Sequence, residues 1–243
     1  YYRFVNINDE KNTSPIGRTK TIPDFETEVD SINFAVVSCS QFTRGYFNVY
    51  QDIGRQDNLN AVIHLGDYIY EYGIDGTYND YGRPLSEPRK PNPINECLTL
   101  DDYRKRHAQS KTDTDSQYML SLHPIIAIWD DHEISDNSWE FGSEYENPGI
   151  EYMIRKENAI KAYYEWMPIR ENSDPNIIFR TFDFGNILSL HMLDTRHYRR
   201  DKQVTIQELV TEPEKYRQIL YSQNRKLLGP TQLEWLKEQM LKS

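Results

Sequence analysis

An α/β fold built on a parallel sheet is predicted by two features of the sequence. Three apolar, β-branched runs of strand length occur at 32–40, 59–67 and 124–129. Between the first two, apolar residues recur at helical spacing. Strand, helix and strand thus follow within about 35 residues, as a βαβ unit requires.

Each element has its own signature. Residues 1–30 are polar, and "SPIGRTKTIP" predicts loop or an outer strand, the exit from an upstream module. "INFAVVSCS" (32–40) is a near-continuous apolar run, the pattern of a strand buried on both faces. Tyr46, Phe47, Val49, Tyr50 and Ile53 then fall on one helical face, and "LNAVIHLGD" (59–67) is the second buried strand. A long insertion, 72–98, is rich in Gly, Pro, Asn and Asp, and serves either as an active-site loop or as surface decoration. Thr99, with acids in the first turn, caps a helix over 98–113 that "SQYMLSLH" continues to Pro124. "PIIAIW" is the third buried strand, and 150–170 is a long amphipathic helix. Residues 176–196 predict a hairpin turning at Phe184-Gly185-Asn186. The last residues, "GPTQLEWLKEQMLKS", predict a helix of about thirteen residues capped by Thr231. His64 lies mid-strand as a core histidine, and His107 sits among Arg and Lys on a solvated helix face.

Composition narrows the function. Of 243 residues, 37% are hydrophobic and 27% charged, which suits a globular protein with a substantial core. No run approaches the ~18–20 apolar residues that cross a membrane. Lys and Arg number 28 against 38 Asp and Glu, a formal charge of −10, so no general nucleic-acid-binding surface is evident. An acidic protein that handles phosphate needs metal ions or local arginines to invert its own field. Cys39 and Cys97 form one disulfide or stay as two free thiols. The chain opens on Tyr1 and stops in a helix, so a trimmed piece of something longer is expected.

All three buried runs end in polar residues: Ser38-Cys39-Ser40, Gly66-Asp67-Tyr68-Ile69-Tyr70 and Asp130-Asp131-His132-Glu133. In open α/β sheets ligands bind beyond the carboxyl ends of strands, so the three sets should converge on one crevice. Singly, Cys39 could be a small buried apolar group, "GDYIYE" a turn and "DDHE" a helix start. Together they form a set of thiol, carboxylates, phenol and imidazole that suits metal ions, which turn mutually repelling carboxylates into ligands. Gly-Asp at one strand end and a carboxylate followed by His-Glu at the next is the layout of a two-metal phosphoesterase. There one carboxylate bridges two cations, the pair activates a hydroxide, and a neighbouring imidazole assists the leaving oxygen.

"FAVVSCSQ", "HLGDYIYE", "IWDDHE" with a following "DN", and "LDTRHYR" together resemble the PhoD-like alkaline phosphatase/phosphodiesterase family, a branch of the calcineurin-like metallophosphoesterases. The resemblance runs from residue 1 to the end, and "YYRF" with "SPIGRTKTIP" matches the exit from that family's small N-terminal β-sandwich. It implies that 1–30 is that exit and that 31–243 is the N-terminal portion of a catalytic domain with a four-layered α/β/β/α core. It also implies secretion or a periplasmic location, and a centre of iron(III) and calcium, other divalent metals being possible. Carried over by position, Cys39 and Tyr70 become iron ligands and Asp67 the bridging carboxylate. Asp131 takes the place of the superfamily's metal-binding Asn, and Asp130 becomes an extra carboxylate suited to calcium. His132 becomes the catalytic histidine. Asp194 and Arg196 become supports or phosphate contacts, Arg196 standing with the catalytic set, and His191 becomes a further metal ligand.

One departure stands out. The superfamily completes its centre with a later Gly-Asp/His-x-His strand end, yet no histidine follows His197 here. The remaining ligands are therefore expected beyond residue 243, in a core incomplete at its C-terminus. The reading is a metal-dependent phosphoric ester hydrolase, acting as phosphodiesterase or phosphomonoesterase on a small phosphate ester or a phospholipid. The alternatives are a phospholipase D-like phosphodiesterase on the same scaffold and a non-catalytic calcium-binding module.

Overall fold

The computed structural model describes residues 1–76 and 89–242. The expected insertion is therefore described only at its two ends, and 77–88 lie outside the described residues. The chain opens with an exposed antiparallel hairpin of β1 (Val5–Asn6) and β2 (Asp9–Thr13). The three apolar runs then deliver the predicted parallel sheet. β3 (Phe34–Val37), β4 (Ala61–His64) and β5 (Ile125–Ala127) lie side by side in that order, with Phe34 opposite Ala61 and Val62 opposite Ile125. α1 (Asn48–Gly54), preceded by a single 3₁₀ turn at Phe42–Arg44, makes the crossover between β3 and β4.

The central strand β4 is buried at every residue, as its sequence predicts. β3 is not: it lies at the sheet edge and Val36 is 58% exposed, because no described layer covers that side of it. The helix expected over 98–113 and onward is two helices, α2 (Leu100–Ser110) and α3 (Thr114–Leu122). Thr99 closes a capping box on α2 as expected, but Asp113 starts a new helix by accepting the N–H groups of Asp115 and Ser116. α4 (Ile150–Trp166) packs on α2, where Arg155 Nε donates to the Tyr103 hydroxyl at 2.9 Å. β6 (Arg180–Phe184) and β7 (Leu188–Met192) form the predicted hairpin. α5 (Ile206–Thr211) and α6 (Pro213–Leu220) bury no residue. α7 (Gly229–Met240) begins at Gly229-Pro230 with no side-chain cap. Thr231 therefore lies inside the helix, Pro230 supplying the start that a cap would otherwise mark.

The core gathers β4, β5, α2 and α4 around Trp129, Tyr103, Tyr152 and Tyr163. His64 is enclosed, accepting the Gly66 N–H on Nδ1, with Nε2 beside the Ser40 and Tyr50 hydroxyls. His107, expected on a solvated face, is instead fully buried among the rings of Tyr68, Tyr163 and Trp166. The α4 helix covers the side of α2 that carries it, a packing that charge on neighbouring residues could not reveal. Cys39 and Cys97 are both free, Cys97 completely buried.

Burial holds both His64 and His107 down to about 3, with the Lys111 charge adding to it. The unfolded chain takes up these protons below pH ~6.5, while the folded chain resists them until about pH 3. Their contribution is therefore complete above pH ~6.5 and is lost as pH falls through that window, at roughly 1.4 kcal/mol per pH unit for each histidine. His107→Phe, which keeps a ring in the same stack, should flatten the fall in urea midpoint between pH 6 and 4. An unchanged slope would show that His107 takes up its proton in the folded state.

Candidate metal centre

The polar ends of β3, β4 and β5 do meet. Beyond the strands the β3–β4 pairing continues, with the Cys39 N–H donating to Gly66 O at 3.2 Å and the Ser40 N–H to Asp67 O at 2.8 Å. Cys39 and Asp67 both adopt left-handed backbone, with φ of 57° and 55°. Non-glycine residues there carry about 1–3 kcal/mol of strain, a feature that clusters at functional sites. Gly66 makes the approach of the next strand possible. Its φ is +103°, and a Cβ added there would lie 2.3 Å from the Asp130 backbone nitrogen. Only a residue without a side chain lets the Asp67 and Asp130 loops come this close.

Asp67 is the centre of the cluster. Its Oδ2 accepts from the Tyr70 hydroxyl at 3.0 Å and from the Cys39 thiol at 3.4 Å. Its Oδ1 is buried and has no partner among the described residues. Asp131 and His132 bring ligand atoms that lie, with one from Asp67, all within 4.8 Å of one another. One carboxylate thus belongs to two groups, Cys39 and Tyr70 on one side and Asp131 and His132 on the other. Burial pushes the Asp67 carboxyl up; His132 opposes this, and the Asp131 and Asp130 charges add to it. An orphaned carboxylate oxygen and crowded acids beside a thiol and a phenol are what a bound cation would relieve, so the donors fit a metal centre. Burial, together with the Asp67 charge, also raises the Cys39 thiol and the Tyr70 phenol, so both are protonated at neutral pH in the cation-free site, and a cation held there would have to displace those protons.

Asp131 is fixed by its own loop. Asn137, at φ 51°, donates its N–H to Asp131 Oδ2 at 2.6 Å, which gives the "DN" of the motif a physical role. His132 Nδ1 donates to Glu71 at 2.8 Å, and the ring lies between Tyr70 at 4.2 Å and Tyr72 at 5.1 Å. Burial alone would lower the His132 pKa; the Glu71 hydrogen bond and charge, with Asp131 and Asp67, outweigh it and lift it to about 9. Two acids that the motif reading left without a role prove central. Glu71 orients His132 and accepts the Asp136 N–H at 2.6 Å. Glu133 is 1% exposed and accepts the N–H groups of Asp67, Tyr68 and Asp130. Burial, then the Asp67 charge, raises it to about 8 against those three donors. Glu71 carried a signal in the sequence, an acid between aromatic and apolar residues where burial is costly without partners, whereas Glu133 was indistinguishable from the charged residues beside it.

The other expected residues are placed as follows. Asp130 borders the cluster but is held by Arg196, whose Nε and Nη2 reach its two oxygens at 2.6 and 3.1 Å. Arg196 also lies 3.3 Å from Asp131. Asp194 is fully buried as a support, accepting the Trp129 indole N–H and the backbone N–H groups of Arg196 and His197. Gln232 of α7 clamps the Asp194 backbone on both sides, and His197 donates from Nε2 to Asp130 O at 2.8 Å. His191 is not brought to the cluster. It sits on β7 beside the Thr181 hydroxyl at 2.9 Å and edge-on to Trp235 of α7. Strand alternation puts it on the face that α7 covers, away from the groups around Asp67.

Against known families, residues 34–243 match the PhoD-like phosphatase profile. The chain belongs to the PhoD-like phosphatase family. Alkaline phosphatase D of Bacillus subtilis (strain 168) is 37% identical over 240 residues, covering 97% of this chain and 39% of the relative. A solved structure of PhoD aligns with a TM-score of 0.77 and 36% identity, over 92% of this chain and 42% of that one. The chain therefore spans about two fifths of the length of the PhoD-like relatives it matches.

Gly66→Ala tests the construction of the centre. The new Cβ must displace the Asp130 backbone from a left-handed glycine position, at a cost on the order of 2–4 kcal/mol. The variant should bind metal at least tenfold more weakly and unfold at lower denaturant. Wild-type metal stoichiometry and midpoint together would show that the two loops do not need this approach.

Proposed function

We propose that this chain forms part of a metal-dependent phosphoric ester hydrolase acting on phosphodiesters or phosphomonoesters, with a small ester or a phospholipid as substrate. The observation that carries the reading is Asp67 shared between a thiol–phenol pair and an Asp–His pair, with one carboxylate oxygen left open. Cys39, Tyr70 and Asp67 would hold iron(III), to which a thiolate and a phenolate are suited. Asp67 and Asp131, with Asp130 alongside, would hold a harder cation such as calcium. When bound, such cations polarise a phosphoryl oxygen and lower the pKa of water.

The chain's own side chains supply the rest. Arg196 partly neutralises Asp130 and Asp131 and holds them in position. His132, held in one orientation by the hydrogen bond between its Nδ1 and Glu71, can deliver a proton to the departing oxygen. That buried, oriented imidazole favours hydrolysis over a purely structural calcium site, which has no use for a proton donor. In this reading 31–243 contributes to the four-layered α/β/β/α core, 1–30 leads out of an N-terminal β-sandwich, and the longer protein supplies the remaining ligands. Secretion or a periplasmic location accords with the family likeness; among the described residues no helix is long and apolar enough to cross a membrane.

Hydrolysis of a chromogenic diester and monoester by the complete protein carrying this chain tests the proposal. Chelation should abolish turnover, and Asp67→Asn should lower kcat by about 10³-fold or more, the scale of a lost transition-state interaction. Chelator-insensitive rates equal in wild type and Asp67→Asn would refute it. The metal assignment has an independent readout, a visible charge-transfer band from thiolate and phenolate on iron(III). Cys39→Ser and Tyr70→Phe should each shift or remove that band; a colourless, iron-free and fully active protein would remove iron from the proposal.

A further inference from the structure

Beside the cluster lies a cleft of about 480 Å³, a volume typical of small-ligand sites. Cys39 and Tyr70 line one end of it, and Tyr46, Phe47, Val49 and Tyr50 form the wall leading away. That wall is rigidly built. Arg89, 4% exposed, pairs with the buried Asp113, and its guanidinium carbon lies 4.0 Å from the Phe42 ring centroid and 4.2 Å from that of Tyr46. Asp113 also accepts the Phe47 N–H at 3.4 Å and caps α3. At its base the Ser40 and Tyr50 hydroxyls meet His64.

Tyr46 remains 65% exposed, as does its neighbour in the wall Val49 at 66%. An exposed tyrosine is ordinary by itself. This one is held against a buried arginine that an ion pair and two further aromatic rings immobilise, and the cleft it lines begins at two members of the metal cluster. An aromatic ring fixed in advance loses little entropy on binding, so its open surface is ready to receive another flat group.

We infer that Tyr46 is a specificity-determining residue: it stacks on a planar organic substituent of the phosphate ester, such as an aryl group or a nucleobase, while the phosphoryl group lies at the Asp67 cluster. This rests on the hydrolase reading and deepens it. The ligand class follows from the chemistry present, a polarisable ring surface and apolar Val49 adjoining a site for an anion.

Calorimetric binding of 1-naphthylphosphonate and methylphosphonate to the metal-loaded complete protein tests it without relying on turnover. The two share a phosphonate and differ only in the planar substituent. Wild type should prefer the naphthyl compound by roughly 10-fold or more, the scale of ring stacking. Tyr46→Ala should erase most of that preference and leave methylphosphonate binding unchanged, while Tyr46→Phe should keep it. Because Tyr46 is exposed, unchanged methylphosphonate affinity also certifies that the variant is folded. A preference that persists in Tyr46→Ala, or is lacking in wild type, overturns the stacking role while leaving the hydrolase reading intact. Failure of wild type to bind either compound overturns both.

Discussion

Glu133 holds the site together. Its carboxylate, almost wholly buried, accepts N–H groups from Asp67 and Tyr68 after β4 and from Asp130 after β5. Those N–H groups lie beyond the sheet, where no neighbouring strand is available to satisfy them, and a buried donor left unpaired costs about 1–3 kcal/mol. One acid thus satisfies three donors and fixes the distance between the two loops that carry the candidate ligands. Gly66 permits the same approach by having no side chain to resist it.

The electrostatics follow from that closeness. Asp67, Asp130 and Asp131 are drawn together with Glu71 and Glu133 behind them, and Arg196 is the guanidinium that reaches the front of the group. Asp67 and Asp130 are raised chiefly by burial, with like charges adding to it, whereas His132 is raised because its carboxylate neighbours outweigh its burial. Such crowding of acids is what a cation would relieve, and Glu71 orients the imidazole beside them. Strain contributes as well, since Cys39 and Asp67 hold left-handed backbone at the two strand ends.

Distant elements hold the near ones. Gln232 on α7 clamps Asp194, Asp194 holds Trp129 and the Arg196 backbone, and Arg196 holds Asp130. On the other side Arg155 of α4 donates to the Tyr103 hydroxyl, which donates to Ile134 O in the loop that carries Asp131 and His132. The part of this chain that shows no chemistry in its sequence is the part that positions the chemistry. The exposed hairpin at the N-terminus and the unburied α5 and α6 stand outside this framework.

The sequence by itself determined the parallel sheet, its βαβ crossover and the convergence of three polar strand ends. Apolar runs and helical spacing are local signals, and a strand's carboxyl end is where its side chains leave the core. The meeting of Cys39, Asp67, Tyr70, Asp131 and His132 in one cluster was legible for that reason. Only the tertiary structure decided which polar residues are spent on support. Glu71 and Glu133 became the struts of the site, Asp194 a buried anchor, and His191 a neighbour of Thr181 and Trp235. It likewise buried His107 and opened one side of β3. Burial and hydrogen-bond partners depend on which surfaces the fold presses together, and residues 61 positions apart, as Glu71 and His132 are, carry no local pattern that records such a meeting.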